Sequence, residues 1–60
     1  MKRGDIVEII YLDRKGQFSQ RRIRILEVGT IFVRAYCYNR KQIRVFQKDG
    51  ILASKQIKSA

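Results

Sequence analysis

Gly29-Thr30-Ile31-Phe32-Val33-Arg34-Ala35-Tyr36-Cys37-Tyr38 is the stretch on which the fold turns. Successive side chains of a strand point to opposite faces, so two faces separate from Ile31 onward. Ile31, Val33, Ala35 and Cys37 make a small aliphatic face suited to a core. Phe32, Arg34, Tyr36 and Tyr38 make an aromatic face with one cation in it. β-Branched and aromatic residues favour such a pleated, half-buried surface. A strand over 31–38 is therefore expected.

The flanking segments read the same way. Strands are expected over 6–12, with Val7, Ile9 and Tyr11 on one face, and over 18–26, where Arg21, Ile23 and Ile25 alternate with Arg22, Arg24 and Leu26. Shorter strands are expected over 43–46 and 51–57. Asp13-Arg14-Lys15-Gly16 reads as a hairpin turn in which Gly16 is free to take positive φ. Polar turns are expected over 27–30, 39–42 and 48–50, and Lys58-Ser59-Ala60 is expected to fray. Helical periodicity is nowhere sustained for three turns. The expectation is an all-β single domain over 1–60: a small, strongly bent antiparallel barrel of four or five strands that curls to protect its edges. Val7, Ile9, Ile23, Val33, Ala35 and Cys37 are its expected core.

A chain of 60 residues buries only about 60% of the surface its unfolded form exposes and is marginal in stability. Cys37 is the only cysteine and there is no His, so an internal disulfide and a four-ligand zinc site are excluded. Catalysis has little to work with. No His supplies a base near neutral pH, and Asp5, Glu8, Asp13, Glu27 and Asp49 are scattered, mostly near turns. Cys37 falls on the aliphatic face, which suits an inert thiol better than a nucleophile. Gly16 and Gly50 stand alone, without P-loop spacing. The expectation is a binding module with no catalytic residue, metal or cofactor. No export signal or membrane-spanning apolar stretch is visible, which points to the cytoplasm.

Charge says more. Fourteen Lys and Arg against five Asp and Glu give +9, a balance that suits anionic partners as well as plain solubility. Arg21, Arg22, Arg24, Arg34, Arg40 and Arg44 all fall in the middle of the chain, and guanidinium groups favour forked recognition of phosphate. Aromatic rings on a sheet can stack bases while Arg neutralises phosphates, although Phe32 and Tyr36 suit core packing equally well. Tyr38, beside a turn, is the aromatic of this group expected to be exposed.

A family resemblance links these residues. Gly29-Thr30-Ile31-Phe32-Val33-Arg34-Ala35-Tyr36-Cys37 resembles the central strand of WYL domains, in which a Gly precedes Trp-Tyr-Leu and Ala-Tyr-Cys follows. Arg40, Arg44-Val45-Phe46 and Asp49-Gly50-Ile51 resemble the family's downstream pattern. Val7-Glu8-Ile9-Ile10-Tyr11 with Asp13 and Gly16, and Ser19-Gln20-Arg21-Arg22-Ile23, resemble its opening strands. The likeness runs collinearly over about 7–51. Ile31-Phe32-Val33 replaces the naming tripeptide, and Ile25 stands where the family usually has Pro. The helix-turn-helix that precedes such domains in bacterial regulators has no counterpart here, so a free-standing module is expected.

The resemblance implies a Sm-like barrel that senses single-stranded nucleic acid or a phosphate-bearing, nucleotide-like ligand in a regulatory role. Arg21, Arg40 and Arg44, with Tyr11 beside them, match the family's basic pocket; Arg34 and Tyr38 are accessory candidates. The competing role for Arg44 is an ion pair with Asp13 or Asp49. Two other readings stand beside this one. The chain can be a protein-interaction module that dimerises or docks on a regulator. Alternatively, Lys2-Arg3-Gly4-Asp5-Ile6-Val7 resembles the opening of KOW-type RNA-binding barrels.

Overall fold

The computed structural model describes residues 1–59. Five antiparallel strands form one sheet: β1 (Ile6–Leu12), β2 (Phe18–Val28), β3 (Phe32–Cys37), β4 (Gln42–Gln47) and β5 (Ile51–Lys58). A single 3-10 turn, Lys48–Gly50, joins β4 to β5. The strand order is β4-β3-β2-β1-β5, so β1 to β4 form a meander and β5 returns to the far side of β1. The all-β expectation holds, and the barrel is a curled sheet with β4 and β5 as its two open edges.

One face of this sheet is the core. Val7, Ile9, Ile23, Ile25, Val33, Ala35, Cys37 and Phe46 are buried, and the half-buried Tyr11 and Ile51 pack against them. All six residues expected in the core are there, because β1, β2 and β3 present the parity that the alternation assigns. Complete burial on one layer requires that layer to close on itself. The Gln47 N–H donates to the Tyr11 hydroxyl at 3.1 Å, and the Tyr11 and Phe46 rings meet edge to face at 5.0 Å. In a flat sheet β1 and β4 would lie three spacings apart, about 14 Å.

Irregularities in the ladder provide the curl. Extra residues on one strand bend it and increase its twist. Register shifts occur on β2 between Ile25 and Glu27, and along the β1–β5 pairing at Ile6/Val7 and Ile10/Tyr11. The β2 bulge at Leu26 also reverses parity beyond it. Glu27 is thereby brought opposite Arg34, where its carboxylate receives the guanidinium at 3.2 Å.

Two expectations need correction. Ile31, expected on the core face, lies outside it: β3 begins one residue later, and Ile31 is 67% exposed in the preceding bend. Lys58 is not a frayed residue: it pairs with Ile6 at the end of β5. Tyr38 is exposed as expected, and Phe18 is exposed too, because it opens β2 at the hairpin end, beyond the curled core. Ala60 lies outside the described residues. The N-terminal segment is tied down as well. The Gly4 N–H donates to Ile25 O at 2.8 Å, and the buried Asp5 carboxylate accepts the Lys2 N–H at 3.1 Å.

Gly50 has a structural duty. It is buried where β5 starts, and a Cβ there would stand 2.7 Å from the Leu12 carbonyl oxygen and 2.8 Å from the Tyr11 ring. Gly50→Ala should therefore lower the urea midpoint, and should do so more than Gly16→Ala, where the cost is a positive φ with open space around it. Val33→Asp places an unpaired charge in the core. Its penalty of several kcal/mol rivals the roughly 3–9 kcal/mol expected for the whole domain. Circular dichroism of that variant should show an unfolded chain.

Candidate anion-binding cleft

At the hairpin end, the inner face of the sheet changes character. Running down β2, the inward positions go from Ile25 and Ile23 to Arg21 and Ser19. On β4, Arg44 stands opposite Ala35 and shares a face with Phe46. The apolar core thus opens into a cationic cleft of about 580 Å³. Its walls include Tyr11, Arg21, Arg40 and Arg44, so the four residues singled out in the sequence come together although they lie on β1, β2, the β3–β4 turn and β4.

Phe46 forms the floor. Tyr11 meets one side of its ring, and the Arg21 guanidinium carbon stands 5.9 Å from the ring centroid. The Arg21 side chain is further fixed by donating from Nε to Ser19 Oγ at 3.1 Å and from Nη1 to Cys37 Sγ at 3.7 Å. A half-buried cation held against an aromatic face is oriented before any ligand arrives. Tyr11 is held too. Its oxygen accepts the Gln47 N–H, which leaves the phenolic hydrogen to donate elsewhere.

Charge in the cleft is unbalanced. Arg14, Lys15, Arg21, Arg40 and Arg44 line it against one carboxylate, Asp13. Asp13 Oδ1 is occupied by the turn, accepting the Lys15 and Gln17 N–H groups at 2.9 Å each. The one ion pair among the described residues is Arg34–Glu27. The structural role considered for Arg44 is thus not realised, and this half-buried cation sits among like charges. Like charges so placed repel one another, and an anion among them would lower that repulsion.

Arg34 and Tyr38 do not join the four. Both belong to the convex surface: Arg34 is engaged with Glu27, and Tyr38 meets Tyr36 edge to face at 5.2 Å. Conversely, the cleft contains Arg14, Lys15 and Phe46, which the sequence does not single out. The first two read there as turn residues only; their cationic character beside Asp13 is the available signal. Nothing in the local pattern marks Phe46 as a floor, because its partners come from β1 and β2.

Cys37 lies at the boundary between core and cleft. Burial by itself raises the pKa of its thiol, but backbone hydrogen bonds from Arg40 and Asn39 and the adjacent Arg21 guanidinium outweigh that effect and bring it below the ordinary value. Among the described residues, no group of three or more His, Cys, Asp or Glu could hold a metal ion, and no helix is long and apolar enough to cross a membrane. Comparison with protein-family models, curated proteins and solved structures found no match to this chain.

The lowered thiol pKa has a pH signature. The folded state releases the Cys37 proton more readily than the unfolded chain does. The resulting stabilisation is complete above the ordinary thiol pKa and is lost as pH falls through the lowered one. The difference in urea midpoint between the wild type and Cys37→Ala should therefore widen as pH is raised from about 7 to about 9.5, across the ordinary thiol range. A constant difference would show that the Arg40 and Asn39 backbone and the Arg21 guanidinium together leave the thiol pKa unlowered.

Proposed function

We propose that this chain is a WYL-like binding module whose cleft takes a phosphate-bearing ligand, single-stranded nucleic acid foremost. One observation carries the reading. Arg21, Arg40 and Arg44 arrive from three separate segments at one cleft, and neither the Arg40 nor the Arg44 side chain has an ion-pair partner among the described residues. Forked guanidinium groups grip phosphate oxygens in pairs, and the Tyr11 hydroxyl adds a neutral donor. The collinear resemblance over 7–51 supports the same residues independently of their geometry. The role is binding and sensing without turnover. The reading includes a cytoplasmic setting, in keeping with an unpaired buried thiol.

Self-association is a second reading, favoured by the two open edges. Ile43 and Val45 on β4 and Leu52 and Ile57 on β5 are exposed beside unpaired backbone. Sedimentation that shows only monomer at micromolar concentration would end it.

Binding to a single-stranded oligonucleotide, titrated with salt, tests the principal reading. Arg21→Ala, Arg40→Ala and Arg44→Ala should each weaken binding with little change in sequence preference. Each should also reduce the slope of log K against log salt by about 0.7 for every phosphate that is no longer neutralised. Lys48→Ala, at a residue that lines a different hollow and not the cleft, should do neither. Equal weakening at Lys48 and Arg44 would mean diffuse charge with no site.

A further inference from the structure

The convex surface carries a second pattern. One row of cross-strand neighbours spans all five strands: Lys58, Ile6, Arg24, Tyr36 and Ile43. Cations and apolar or aromatic groups are interleaved along it. Beside this row, Tyr38 is tied to β2 by donating its N–H to Arg22 O at 3.0 Å, and Asn39 Oδ1 receives the Arg22 N–H at 3.0 Å. The Tyr38 side chain is more than a third exposed, and its ring meets that of Tyr36 in a T-shaped contact.

A hollow of about 360 Å³ opens next to that ring, lined by Ile6, Arg22, Tyr38, Ile57 and Lys58. Three of its lining residues are apolar or aromatic and two, Arg22 and Lys58, are cations. Ile57 reaches it because of the β5 irregularity. Ile6 pairs with Lys58 and Val7 with Gln56, so Ile57 is the extra residue of the bulge and is set outward. Neither Arg22 nor Lys58 forms an ion pair among the described residues, although Glu8 is the ladder neighbour of Arg22.

We propose that this hollow is a nucleotide subsite on the face opposite the cleft, in which a base stacks on Tyr38 against Ile6 and Ile57 while Arg22 and Lys58 hold its flanking phosphate. Tyr38 thus acts in binding outside the cleft: it does not line the cleft with Arg44, although it borders a neighbouring hollow together with Arg21 and Arg22. Aromatic stacking tolerates any base, and the two cations suit a polyanion. Arg40, at the β3–β4 turn between Tyr38 and the cleft, lets one strand pass from one face to the other. The proposal rests on the cleft reading only for that path; the subsite is built from its own residues.

Fluorescence anisotropy with a labelled trinucleotide and a labelled dodecanucleotide separates the two sites. Tyr38→Ala should weaken binding of the dodecanucleotide by about tenfold or more, the usual effect of removing one stacked base, and leave the trinucleotide in the cleft unchanged. Tyr38→Phe should restore affinity, since the ring is kept. Arg22→Gln, an exposed change that spares the packing, should lower the salt slope for the long strand alone. Arg44→Ala should weaken both lengths. Weakening by Arg44→Ala but none by Tyr38→Ala or Arg22→Gln overturns the subsite and leaves the cleft. The converse result keeps the subsite and overturns the cleft, and no binding by the wild type overturns both.

Discussion

A single sheet has no second layer against which to hide its apolar face, and everything else in this protein follows from how that problem is met. The strands curl until β4 faces β1, and closure is marked by the meeting of Tyr11 with Phe46 and Gln47. A fully buried Val, Ile or Phe side chain contributes about 1.5–3 kcal/mol. With eight buried core residues, the core depends on that curl being complete. Gly50 belongs to the same constraint, because any side chain there would push Leu12 and Tyr11 away from the seam.

The curl also makes the cleft. The core-facing rows of β2 and β4 continue past the last apolar residues into Arg21 and Arg44, so the bending that buries Ile23 and Phe46 also gathers the cations. The packed core and the cationic cleft are then two ends of one surface. Phe46 belongs to both, as a buried core residue and as the ring beneath the Arg21 guanidinium. The tight β3–β4 turn, in which Lys41 takes a φ of 56°, carries Arg40 to the cleft wall. A left-handed, non-glycine residue in that turn costs roughly 1–2 kcal/mol.

The convex face is organised by the ladder irregularities. The Leu26 bulge turns Glu27 toward Arg34 and neutralises that cation, whereas Arg22, Arg24 and Lys58 keep their charge free of ion pairs among the described residues. Bulges on an open sheet thereby decide which cations are available to a partner and which are engaged within the fold.

Much of this is legible in the residues alone. Period-two alternation in 6–12, 18–26 and 31–38 determines the strand class and the buried parity, because a half-buried strand reveals its inner face locally. The collinear pattern over 7–51 determines which cations to watch. Tertiary structure decides the rest. The bulge at Leu26 cancels the simple alternation beyond Ile25, and no local signal announces it, since Leu26 suits either face. Ile31 has no place in the core because the strand starts one residue late. Whether Arg40 and Arg44 stand free or paired depends on Asp13 being held by its own turn. That Arg34 and Tyr38 stay out of the cleft depends on the sheet having two faces and curling toward one. The alternation within a strand is a property of neighbouring residues. The convergence of Tyr11, Arg21, Arg40 and Arg44 is a property of distant segments brought together, and only the curl of the sheet decides it.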